Sequence, residues 1–137
     1  MSLFNVFDIS GSAMSAQSIR LNTIASNMAN ADVVGDNPDT VYRARHPVFS
    51  TVFNQAVGNR HAVGVRVDQV IESQVEPARE YSPGHPLADD EGYIYRSSVN
   101  TVEEMANMIS ASRSYESSVR AMETTKQLIL RTLQMGK

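Results

Sequence analysis

The sequence predicts an α+β fold in which two long terminal helices pair as a coiled-coil-like core beside a small, β-rich and extended central region. Three features carry that reading. Thr101 to Gln134 runs without Gly or Pro, so nothing local stops a helix once it has started. Met1 to Ala31 has a seven-residue apolar repeat of its own. Between them the pattern changes from helical to alternating, with clusters of turn residues. The implied division joins residues 1–31 and 98–137 as a helical assembly domain and leaves 32–97 as a loop plus a small β-rich outer domain.

In the C-terminal run, alternating steps of three and four pick out Met105, Met108, Ser112, Tyr115, Val119, Met122, Lys126, Ile129 and Leu133. All are apolar except Ser112 and Lys126, which makes a narrow coiled-coil seam. At about 1.5 Å per residue the helix is on the order of 50 Å long, too long for a compact core of this chain to cover. Thr101 and Glu104 have the spacing of a capping box, and Glu103 suits the positive end of the helix. Glu116 and Arg120 form an i, i+4 pair worth a few tenths of a kcal/mol. Lys126 falls on the seam and Arg113 beside it, so these two cations mark where a neighbouring chain can be sought.

At the other end Phe7, Met14, Leu21 and Met28 lie seven apart, with Ile24 and Ala31 three residues after the last two. Ser10 and Gln17 interrupt this stripe. Gly11 costs about 1 kcal/mol in a helix interior, so a reliable helix is expected to start near it, with frayed residues before. After Asn30 the cluster Gly35, Asp36, Asn37, Pro38 and Asp39 makes Asp32 to Thr40 a loop.

The middle reads as strands. Val63, Val65 and Val67 alternate with Gly64, Arg66 and Asp68, and Val70 and Ile71 extend the run. Tyr93 to Tyr95 is a second strand, and Tyr42 to Phe53 a third in which Pro47 requires an edge or a bulge. Glu76 to Gly92, with its three prolines, reads as turns and extended chain.

Composition narrows the function. The 137 residues are 42% hydrophobic and 20% charged, within the range of one ordinary globular domain. A net charge of −3 with interspersed signs disfavours nucleic acid or an anionic membrane as partner. The absence of cysteine excludes disulfides, thiolate metal sites and a Cys nucleophile. No run is apolar and long enough for a membrane span, and no cleavable secretory signal is recognisable. His46, His61 and His85 have no carboxylate at ligand spacing, and the acids at Asp36 to Asp39 lack the spacing and closing Glu of a calcium loop. Asp89 to Glu91 before Gly92 reads as a solvated turn. No catalytic, cofactor or metal residues are expected, and an enzyme is disfavoured.

Two stretches carry a family resemblance. Ala25-Ser26-Asn27-Met28-Ala29-Asn30-Ala31-Asp32 resembles the Asn-rich signature that ends the N-terminal helix of bacterial flagellar axial proteins, the rod, hook and hook–filament junction subunits. Val99 to Met105 with Met108 to Glu116 resembles their C-terminal helix. The short length, the opening Phe4 to Met14 and Pro83 to Asp89 before Gly92-Tyr93 narrow the likeness to the proximal-rod branch. Val33 and Val34 stand where many members have a Thr, and Asp36 to Val41 displaces the following aromatic to Tyr42, which separates the chain from hook and distal-rod subunits.

The resemblance implies a structural subunit exported by the flagellar type III apparatus without a cleaved signal. It further implies assembly in the periplasmic rod with copies of itself, other rod proteins and other basal-body components, and transmission of torque. It adds Asn27 and Asn30 to an interface otherwise drawn from Phe7, Met14, Leu21, Ile24, Met28, Met105, Met108, Arg113, Tyr115, Val119, Met122, Lys126, Ile129 and Leu133. Two other classes are separable from it. A coiled-coil adaptor would dock one defined soluble partner, and a small enzyme would place His61 or Asp89 in a pocket.

Overall fold

A computed structural model describes residues 3–53 and 62–136; His61 lies outside the described residues. In chain order the elements are α1 (Leu3–Ala29), β1 (Val34–Gly35), β2 (Arg45–Phe53), β3 (Ala62–Glu72), β4 (Ala78–Tyr81), β5 (Tyr93–Arg96) and α2 (Thr101–Met135). Terminal helices with small sheets between them make the class α+β, as the sequence predicts. Strands β2 and β3 form a two-stranded ribbon in which Pro47 lies on a strand with an open edge. The chain divides into two compact units, and each draws on both helices and on the middle of the chain.

One unit holds Met1–Leu21, Pro47–Gln69 and Ile109–Lys137. Helix α1 does not wait for Gly11, as the propensity argument expects, but starts at Leu3 and passes through it. A β-carbon placed on Gly11 would stand 3.7 Å from the Met122 Cε, an ordinary van der Waals contact, so crowding does not require glycine here. Tertiary packing of the long helix outweighs the intrinsic cost of the glycine. The buried positions here are small or polar, Ser10 and Ala16 on α1 and Ala111 and Thr125 on α2. The β3 backbone also comes close at Ser12, whose hydroxyl donates to the Ile9 carbonyl at 2.8 Å and accepts from the Val65 N–H at 3.1 Å. Only a glycine fits beside it, since a Cβ on Gly64 would fall 2.5 Å from Ser12 Oγ.

Along α2 the hydroxyls of Ser114, Ser118, Thr124, Thr125 and Thr132 each donate to the carbonyl four residues earlier, at 2.8–3.0 Å. The helix therefore satisfies these donors by itself.

The other unit holds Asn22–His46 and Val70–Met108. Its sheet has the order β1-β5-β4, antiparallel throughout, with Val34 opposite Arg96 and Tyr81 opposite Tyr93. Two sequence expectations change here. The loop at 32–40 contributes β1, and the segment 76–92 contains β4, because β5 offers a hydrogen-bonding edge on each side. Ile24, Ala31, Val41, Ala44 and Ile94 form the buried apolar set. Gly35 is required by crowding, as a Cβ there would stand 2.8 Å from Val41 Cγ2. The turn before β5 is tied by Asp89, whose Oδ1 accepts the N–H groups of Glu91 and Tyr93 at 3.0 and 2.8 Å. Gly92 sits in it at φ +82°, a conformation that favours glycine.

Candidate assembly interface

Because the expected chemistry is contact rather than catalysis, the site is built from what the two helices bury and what they leave open. On α1, Ile24 and Asn27 are buried, while Phe7, Met14, Leu21 and Met28 are half-buried, as is Asn30 just past the helix end. On α2, Met108, Tyr115, Val119, Met122 and Ile129 are half-buried. Met105, Arg113, Lys126 and Leu133 are exposed, Met105 by 52% and Leu133 by 65%. The fully covered row of α2 is Glu104, Ala111 and Thr125, at multiples of seven residues and about 100° around the helix from the Met105–Ser112–Val119–Lys126 row. Small side chains at that spacing let another backbone come near, a signal that counting large apolar residues passes over.

The residue with the fullest set of contacts is Asn27, the largest fully buried side chain among the described residues. Its Oδ1 accepts the Arg45 N–H at 2.9 Å and the Tyr42 hydroxyl at 2.9 Å. Its Nδ2 donates to the Arg45 carbonyl at 2.9 Å and to Glu104 Oε2 at 3.1 Å. An amide has two donors and can accept twice, so Asn27 is saturated and its orientation is fixed by the backbone of Arg45. Ser26 adds a hydroxyl contact to Tyr42 at 3.2 Å, and the Asn30 side chain closes the helix end by donating to the Ser26 carbonyl at 2.8 Å. The Asn-rich segment thus has a physical role: one asparagine joins α1, the chain at 42–45 and the first turn of α2, and the other caps α1.

Glu104 is 3% exposed and faces Asn27, which overturns the capping box expected from Thr101 and Glu104. The cap is Asn100, whose Oδ1 accepts the N–H groups of Val102 and Glu103 at 3.1 and 3.3 Å. Asparagine caps helices at least as well as threonine, and that frees the glutamate for the buried amide. Nothing local in the sequence marks this pairing, which spans 77 positions.

In the first unit, Phe7, Asp8, Lys126, Ile129 and Leu130 line a mostly apolar surface groove of about 360 Å³. Exposed large apolar side chains lie at both ends of α2, with Val102, Met105 and Ile109 near its start and Leu130, Leu133 and Met135 near its end. Elsewhere the surface is held by ion pairs. Arg79 donates to Glu91 at 2.6 Å and stacks 3.7 Å from the Tyr93 ring centroid, and the Glu91 carboxylate raises its pKa above the ordinary arginine value. The Ser50 hydroxyl and the Arg66 guanidinium hold the Asp68 carboxyl below its usual range. Arg120 and Glu116 make the expected i, i+4 contact at 4.0 Å.

His46 is exposed, and His85 accepts the Leu87 N–H at its Nδ1, so both serve the surface or a turn. Among the described residues no three His, Cys, Asp or Glu side chains are grouped to hold a metal, and no helix is long and apolar enough to cross a membrane.

Residues 7–35, which include Asn27, match the family described as flagella basal body rod protein. Residues 90–135, which include Glu104, match the flagellar basal body rod FlgEFG protein C-terminal family. The flagellar basal-body rod protein FlgC of Yersinia enterocolitica is 48% identical over 137 residues, the whole of both chains. That of Salmonella typhimurium is 46% identical over the same span. The Aquifex aeolicus protein of the same name is 38% identical over 139 residues, covering all of this chain and 99% of its own. The chain belongs to the FlgC family of flagellar basal-body rod proteins.

Proposed function

We propose that this structural rod subunit is built into the flagellar rod through its two terminal helices. These contact copies of the chain and other rod proteins, while the loop and sheet segments of residues 32–97 face outward and fix lateral register. The observation that carries the reading is the set of uncovered apolar side chains on α2. Val102, Met105, Ile109, Leu130, Leu133 and Met135 are all at least half exposed, a burden that a lone helix in water sheds by finding neighbours. Repeated head-to-tail contacts of this kind generate an open helical array.

The subunit acts at the basal body alongside its other components. It reaches the periplasmic space through the flagellar type III apparatus without a cleaved signal, and it works mechanically rather than as an enzyme by passing motor torque along the rod. Within the unit whose buried residues, among those described, are Ala, Ser and Thr, helix pairing is weak in a free subunit and strengthens on assembly, since tertiary contact supplies most helix stability.

The test is incorporation. Expressed in a flagellated bacterium made non-motile by deletion of its own FlgC-type subunit, the chain is expected to restore swimming and to co-purify with basal bodies. Far-UV circular dichroism should show less helix in the free chain than in the assembled form. Recovery only in a discrete soluble complex with one protein would replace this reading with that of an adaptor.

A further inference from the structure

We propose that the groove lined by Phe7, Asp8, Lys126, Ile129 and Leu130 is a docking site for a second copy of this chain, in which Lys126 of one copy pairs with Asp8 of the next. The inference rests on the rod-subunit reading and names one contact through which copies meet. Its first ground is electrostatic. Asp8 and Lys126 line the same groove on α1 and α2, yet among the described residues neither makes an ion pair. Elsewhere in the chain opposite charges close to contact, as in Arg45 with Glu72 at 3.0 Å and Arg79 with Glu91 at 2.6 Å.

The second ground is the floor between them. Phe7, Ile129 and Leu130 are apolar and incompletely covered, so a body seated there displaces water from apolar surface and lowers the local dielectric around both charges. Charge complementarity selects the occupant. A polyanion would be repelled by Asp8 and a polycation by Lys126, whereas a copy of the chain presents one of each together with its own apolar rim. At about 360 Å³ the groove has room to seat side chains of a neighbouring helix.

The chain contains no cysteine, which permits an unambiguous proximity test. Copies carrying only Asp8→Cys are co-expressed with copies carrying only Lys126→Cys, and isolated basal bodies are oxidised. A disulfide then forms only between two copies and is read as a species of twice the chain mass on a non-reducing gel. That species is expected from the mixture and not from either variant alone. Charge reversal supplies the chemical test: Asp8→Lys or Lys126→Asp alone should lower incorporation into basal bodies about tenfold, and the two reversals in one chain should restore it.

Chains present in basal bodies without the mixed disulfide, or single reversals that incorporate normally, would overturn this contact while leaving the rod reading intact. Absence of the unsubstituted chain from basal bodies would overturn both.

Discussion

Replacing Asn27 by Asp changes one NH₂ group to an oxygen and removes both donor bonds, those to the Arg45 carbonyl and to Glu104 Oε2. Asn27 is 0% and Glu104 3% exposed, so the Glu104 carboxylate recovers no solvent partner. Each buried acceptor left unmet costs about 1–3 kcal/mol. The new carboxylate also faces the existing one across the former 3.1 Å hydrogen bond, and an uncompensated buried charge is worth about 3–5 kcal/mol. These contributions overlap, and about 4 kcal/mol is a conservative sum, a large share of the roughly 5–15 kcal/mol that holds a domain together.

Glu104→Gln keeps an acceptor for Asn27 Nδ2 and should cost less than about 1 kcal/mol. Urea unfolding of the full-length chain followed by far-UV circular dichroism gives both values. In the Asn27→Asp variant the introduced carboxyl and that of Glu104 can recover a donor by sharing a proton, so this variant should gain stability relative to the parent as the pH falls below neutral. An Asn27→Asp chain within about 1 kcal/mol of the parent at neutral pH would refute the claim that the amide is a saturated node.

Three further outcomes follow from the geometry. Gly64→Ala places a methyl 2.5 Å from Ser12 Oγ and should destabilise by about 1–3 kcal/mol in the same unfolding assay, and Ser12→Ala in the same chain should recover part of that loss. Asp68 has a lowered folded-state pKa, so its stabilising contribution is complete above the unfolded carboxylate value of about 4 and disappears as the pH drops through the lower folded value. Asp68→Asn should therefore differ from the parent at neutral pH and converge with it in acid. Leu133→Asp alters a side chain 65% exposed, so the thermal midpoint of the free chain should stay put while rod incorporation and swimming fall; equal swimming would remove Leu133 from the interface.

The two helices and the strands β2, β3 and β5 were legible in the sequence, the helices and β3 because each is a long run with one dominant period, although the pairing of β2 with β3 was not. What escaped were features set by distant partners. Strand β4 has no alternation worth noting, and it exists because β5 supplies an edge. Ser10 and Gln17 looked like interruptions of an apolar stripe, yet Ser10 is buried and the Gln17 Oε1 is covered as well. Ala111 and Thr125 were invisible to a search for large anchors although they occupy the covered row. The family signature drew attention to Asn27 without saying why an amide stands there; its reason lies in Tyr42, Arg45 and Glu104, none of which periodicity connects to it.

The hydroxyl bonds along α2 bear on how that helix changes its surroundings. Each of those five serine and threonine side chains carries its hydrogen bond with it, on the helix's own backbone. When α2 leaves water for a protein surface, or one surface for another, these groups need no new partner and surrender none. A helix that brings its own partners can be rehoused repeatedly, and only the fit of its carbon surface decides where it stays.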